Sequence, residues 1–325
     1  MRVGRRGFLA GGAALAVPMV WAPFARGSVA RELAWVERGP LGTTLAFHLP
    51  ETAPFPSARA AYQDPTVLVF VPGHYAPSRD GRTGVVVHFH GHRTTADRAM
   101  AQHRLREQLV DSKQDAILVV PQGPVLAADS GIGKLEEPGG FARFLVGLSR
   151  ALGQRDAVQA LGRVVGAAFG TLCISAHSGG YHAAAQCVRH GGAEVIEVYL
   201  FDALYAEADA FVAWVEAGRG RPIHTRHKLV TYYTGGATEQ NSVWLAKTLA
   251  EKGVRVARED VEGTLSRDEL TRAEVVAIKA GESHEGVTSE LNQLRDCLYA
   301  SALPRRLKTS WFDARTGSRP MERRR

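Results

Sequence analysis

The chain has 325 residues, 45% hydrophobic and 22% charged, which suits a soluble globular protein with a well-buried core and does not suit a disordered one. Its formal charge of +7 is carried by its ends: subtracting the +4 of residues 1–30 and the +6 of residues 305–325 leaves about −3 for the body between them. A basic groove needs that charge on the folded body, so the composition argues against nucleic-acid binding.

The first stretch, GRRGFLAGGAALAVPMVWAPFA, pairs Arg5 and Arg6 ahead of Phe8 and Leu9 and continues as a mildly apolar Ala/Gly run broken by Pro18. It resembles a bacterial twin-arginine signal, with Gly4 where Ser or Thr is usual and Ala10 where Lys is common. A membrane anchor is the weaker reading, because the segment is short, Gly-rich and interrupted by proline. Small residues at 28–30 place an expected cleavage after Ala30. The resemblance implies passage through the twin-arginine export machinery and a periplasmic or secreted location. The expected organisation is a signal over 1–30, one domain over 31–304 and a basic, flexible tail over 305–325.

Along the body, LAWVERGPLGTTLAFHLP reads as two strands around a Gly-Pro turn, an opening antiparallel hairpin. TVLVFVP and GVVVHFHG follow as strands, separated by a Pro/Gly/Asp-rich turn. From there the pattern alternates. Residues 95–111 have helical spacing, DAILVVP is a strand, and GGFARFLVGLSRAL is an amphipathic helix with Phe141, Phe144, Leu145 and Leu148 on one side. FGTLCIS leads to a helix from about Gly179 to Arg189, and EVIEVYLFD to the helix EADAFVAWVEAG. HKLVTYYTGG precedes the helix NSVWLAKTLAEKG, and AEVVAIKAGESH precedes the helix TSELNQLRDCLYA. Cys173 falls in an apolar strand and Cys187 in a helix, where cysteine is most often a small buried hydrophobe. The spacing of the three cysteines demands no disulfide.

Such alternation predicts an α/β fold: a mostly parallel sheet covered by helices on both faces, preceded by the hairpin. Right-handed crossovers put every strand-to-helix turn on one edge of that sheet. Residues far apart in sequence become neighbours there. In order they are His90-Gly91-His92-Arg93, Gln122, His177-Ser178-Gly179, Asp202, Glu239 and Ser283-His284-Glu285.

The turn Ala176-His177-Ser178-Gly179-Gly180, followed by an acid and then a histidine, resembles the α/β-hydrolase family over roughly residues 34–300. The family signature is G-x-S-x-G. Alanine at the first small position keeps the lack of bulk that a strained strand-to-helix serine turn requires. A plain Gly-rich turn with Ser178 as a helix cap is the alternative. The resemblance implies Ser178 as nucleophile and His284, after the last apolar strand, as general base. It leaves two acids to orient the imidazole. Asp202 is preferred because its short side chain sits directly at a strand end, and Glu239 lies one strand later. Backbone N–H groups of Gly179 and His92 are the implied oxyanion donors, with Gly91 allowing close approach.

The expected activity is ester hydrolysis through an acyl-enzyme, on a small-molecule or polymeric substrate and with no cofactor. An amidase or peptidase using the same residues is an alternative, as is a non-catalytic binding protein of the cell envelope. His88, His90 and His92 alternate, and a metal-dependent hydrolase built on them is a further reading, although no Asp-His pair, H-E-x-x-H or paired-Cys element accompanies them. No G-x-G-x-x-G follows a strand, so no nucleotide cofactor is implied. Residues 133–144 should overhang the site, with Pro138-Gly139-Gly140 as a helix start or a hinge. Tyr181, Tyr205 and Trp214 are pocket candidates that ordinary packing explains equally well.

Overall fold

The structure, a computed structural model, describes residues 32–58, 61–78, 80–127 and 130–305. The expected signal segment and all of the Arg-rich tail after Arg305 lie outside them. Arg305 itself, expected to begin the tail, belongs to the body. Its guanidinium lies 4.0 Å over the Tyr299 ring, and its backbone bridges to Gln114.

The hairpin forms from β1 (Leu33–Gly39) and β2 (Gly42–His48), and β3 (Thr66–Pro72) extends it. Then come β4 (Arg82–Phe89), α1 (Ala96–Gln102), α2 (Leu105–Ser112), β5 (Ala116–Pro121), α3 (Gly140–Leu152) and α4 (Arg155–Leu161). The central strand β6 (Ala168–His177) leads into α5 (Tyr181–His190), followed by β7 (Glu197–Phe201), α6 (Ala208–Ala217), β8 (Lys228–Tyr233) and α7 (Gly236–Glu251). The chain closes with β9 (Val256–Glu259), α8 (Arg267–Arg272), β10 (Val275–Lys279) and α9 (Gln293–Tyr299).

The strands make one sheet in the order β1-β2-β3-β5-β4-β6-β7-β8-β10-β9. From β5 to β9 all neighbours are parallel, and β1, β2 and β3 continue antiparallel from β5. Strands buried on both faces are largely apolar; every residue of β5, β7 and β8 is buried, and the charged exceptions are Glu197 and Lys228 at the starts of β7 and β8. Phe141, Phe144 and Leu148 of α3, Phe211 of α6 and Leu245 of α7 pack on one face of the sheet. Met100 of α1, Leu109 of α2, Leu270 of α8 and Leu298 of α9 pack on the other. The result is an α/β fold, a mostly parallel sheet with helices on both faces, with β4 and β6 adjacent where the chain reverses its direction of travel across the sheet. Parallel sheets open a crevice at such a reversal, beyond the carboxyl ends of the strands.

Several elements differ from expectation. The last helix begins only at Gln293, because Asn292 takes a left-handed φ of 61° and breaks the run expected from Thr288. Strand β9 and helices α4 and α8 carry no expectation from the sequence pattern. Pro138-Gly139-Gly140 is a helix start: Gly139, at φ 70°, is the N-cap of α3. Cys173, Cys187 and Cys297 are buried thiols that form no disulfide with one another. Among the described residues no helix is long and apolar enough to cross a membrane.

Candidate active site

Strand β6 ends in buried Ala176 and His177, and the chain then turns through the single 3-10 turn Ser178–Gly180 into α5. Ser178 has φ 51°, a conformation that costs a residue with a Cβ of the order of 1–3 kcal/mol and persists only where the surroundings impose it. They do so by close packing. A Cβ on Gly180 would overlap the Phe89 carbonyl, and one on Gly91 would stand 2.8 Å from Ser178 Cβ. The serine is thus lifted to the rim between the ends of β4 and β6.

The rim brings Ser178, His284 and Asp202 into one hydrogen-bonded array. His284 Nε2 is 3.0 Å from Ser178 Oγ, and His284 Nδ1 is 2.7 Å from Asp202 Oδ2. Asp202, at φ 44° directly after β7, is held from three further directions. The Thr234 N–H donates to Oδ1 at 3.0 Å, the Thr234 hydroxyl donates to Oδ2 at 2.7 Å, and the Thr238 hydroxyl donates to Oδ1. Burial would raise the Asp202 pKa, but hydrogen bonds from His284, Thr238 and Thr234 outweigh it and keep the carboxyl below its ordinary range. The bond to Asp202 in turn raises the His284 pKa above its ordinary 6.5, against the opposing effect of burial. Glu239, the other candidate acid, is turned away in the first turn of α7, with its carboxylate 3.6 Å from Lys279 Nζ.

The backbone beyond β4 completes the site. A Cβ placed on Gly179 would stand 2.9 Å from Ser130 Oγ and 3.7 Å from the His92 nitrogen, so the backbone after the serine and the His92 amide are close neighbours. His90 fixes this amide. Its Nδ1–H donates to the Gly91 carbonyl at 2.8 Å, while its Nε2 accepts from the Gly123 N–H at 2.9 Å and lies 3.1 Å from Gln122 Nε2. Within a trans peptide plane C=O and N–H point in opposite directions, so holding the Gly91 carbonyl aims the His92 N–H.

The three alternating histidines do not converge. His88 Nδ1 meets Ser175 Oγ at 2.9 Å inside the core, and His90 is committed to Gly91 and Gly123. Among the described residues no group of three His, Cys, Asp or Glu could hold a metal ion.

Sequence patterning gave no sign of a second histidine arrangement. From His284 the rings of His177, His103 and His88 follow inward, with centroids 4.8, 4.5 and 5.8 Å apart in turn. The His177 Nε2–H donates to the His284 carbonyl at 2.8 Å, tying the base's backbone to the residue before the serine. Burial depresses these rings, His177 to about 4 and His103 to about 3, and holds His88 well below 6.5. Of the aromatic pocket candidates, Tyr205 lies edge-on to His284 at 6.4 Å and Tyr181 is 6.2 Å from Tyr205. Trp214 instead stacks on His227 at 4.6 Å and is ordinary packing.

No protein-family model and no curated protein matched the chain. Among solved structures it is similar to an S-formylglutathione hydrolase from Agrobacterium tumefaciens, at 13% identity and a TM-score of 0.49, covering 84% of this chain and 99% of that one. It is also similar to a ferulic acid esterase, at 12% identity and a TM-score of 0.46, over 72% and 91% of the two chains. A fluorophosphonate-binding serine hydrolase of Staphylococcus aureus matches at 9% identity and a TM-score of 0.45, over 79% and 97%.

Proposed function

We propose that the chain is a serine hydrolase cleaving carboxylic esters through an acyl-enzyme. One observation carries this reading: the imidazole of His284 bridges the hydroxyl of a backbone-strained serine and a buried carboxylate, at 3.0 and 2.7 Å. In the reaction Ser178 Oγ attacks the acyl carbonyl while His284 Nε2 takes its proton. Asp202 holds the Nδ1–H tautomer and stabilises the imidazolium that forms. The amides of Gly179 and His92 hold the developing oxyanion, and each such donor is worth about 3 kcal/mol of barrier. The alcohol leaves with the proton from His284. A water molecule, deprotonated by the same nitrogen, then releases the acid and restores Ser178.

Purified protein treated with a fluorophosphonate should carry the label on Ser178. Labelling that survives Ser178→Ala ends this reading. We also propose that the enzyme is exported, on the strength of the Arg5-Arg6-x-Phe8-Leu9 motif. Fractionated cells should then hold the wild type in the envelope or medium and retain an Arg5→Lys/Arg6→Lys variant inside. An equal distribution of the two refutes the export proposal.

A further inference from the structure

A pocket opens beside the Gly179 and His92 amides, its walls formed by Phe89, Pro121, Pro124, Ile132 and Ala183, with the pinned ring of His90. Phe89, Ile132 and Ala183 are buried, so they make a firm floor. The pocket encloses about 380 Å³ counting its mouth, yet between the walls the free space is that of about one water-sized group. Among the described residues its walls carry no Asp, Glu, Lys or Arg, and His90 is kept neutral by burial.

The position of this pocket decides which half of an ester it receives. An ester carbon bound to Ser178 carries three further groups: the oxyanion, the leaving oxygen and the acyl substituent. The oxyanion takes the two amides. The leaving oxygen must sit within hydrogen-bond reach of His284 Nε2 to be protonated. His284, Asp202 and Tyr205 form no part of the pocket, whose walls come from β4, β5, the loop after β5 and α5. The acyl substituent is the group left to enter it.

We infer that the enzyme is selective for esters of short, uncharged acyl groups, acetyl above all, and that Ile132 and Ala183 set the limit on chain length. This rests on the hydrolase reading above. A second carboxylate on the acyl group would have no cation to meet it, and each methylene beyond the methyl would press on buried walls. Discrimination of one methylene in an apolar pocket is worth about 10- to 200-fold.

The test is kcat/KM on p-nitrophenyl acetate, butyrate and octanoate, using the full chain freed of its signal, for wild type and for Ile132→Ala. We expect wild type to prefer acetate over octanoate by at least tenfold, and Ile132→Ala to raise the butyrate-to-acetate ratio at least fivefold. Octanoate hydrolysed as well as acetate, with fluorophosphonate labelling of Ser178 intact, overturns the inference and leaves the hydrolase reading standing. No ester cleaved and no label on Ser178 removes the hydrolase reading, and the acyl preference falls with it. The wild-type series decides the matter even if the variant fails to fold.

Discussion

At the scale of single residues, the hydrogen bonds around His284 set a pH profile. The base acts only when neutral, and its pKa is raised by Asp202, so kcat/KM should fall on the acid side with a midpoint above 6.5. Asp202→Asn should lower kcat by about 10³- to 10⁴-fold and move that midpoint to lower pH, because the asparagine no longer favours the imidazolium. A pH–rate profile of the two proteins checks both parts, and an unmoved midpoint would contradict the role given to Asp202. His90 offers a second test. If its Nδ1–H aims the His92 amide, His90→Ala should lower kcat with little change in KM, and His90→Asn, which keeps a donor near Nδ1, should recover part of the loss.

Much at this scale is legible in the sequence. The preference for Asp202 over Glu239 follows from side-chain length and strand-end position, and Asp202 is the acid that faces His284. Unreadable were Thr234 and Thr238, which fasten that acid, and the inward row His177, His103 and His88. Threonines after a strand and histidines scattered over ninety residues carry no spacing that announces a contact.

At the scale of elements, the site depends on how closely two strand ends approach. β4 and β6 pair in register up to Phe89 and Ala176, so the segments leaving them run side by side, and glycine at 91 and 180 is what allows this. A methyl group at 180 has backbone as its neighbour and must force β4 and α5 apart. Gly180→Ala should therefore cost about 1–3 kcal/mol, read as a lower denaturant midpoint with an unchanged slope. Wild-type stability in that variant would mean the two ends are less tightly packed than described.

The elements that sequence reading finds are those with long apolar runs, such as β3, β5 and β8. Strand β9, reading Val-Ala-Arg-Glu, lies on the sheet edge and is only partly buried, so it shows no run to detect. Helix α8 did leave a signal. Ser266 and Glu269 form a capping box, a spacing visible in SRDE that a search for apolar periodicity passes over.

At the scale of the whole molecule, the buried histidines make folding depend on pH. His88, His90, His103 and His177 all have pKa values depressed by burial, so below about 6.5 the unfolded chain binds protons that the native one refuses. A depressed pKa gives stability that is full above the unfolded value and lost as pH falls towards the folded one. His103 and His177, depressed to about 3 and about 4, should each weaken the fold by about 1.4 kcal/mol per pH unit between roughly pH 6 and 4, and His88 and His90 act in the same direction. The raised pKa of His284 acts with opposite sign, but only above 6.5, where its extra stability is lost as pH rises through the native value. Thermal melts should therefore show Tm dropping steeply on acidification from pH 6.5. A flat Tm down to pH 4.5 would show that these rings accept protons in place.

The three thiols, each enclosed in the core and none joined to another, bear on how the molecule can be made. Burial pushes those of Cys173 and Cys187 well above the ordinary range, leaving them almost wholly as unreactive SH. Nothing in the body waits for an oxidant. Material refolded in dithiothreitol and material refolded in air should reach the same state at the same rate, and neither glutathione nor a disulfide isomerase should change the yield.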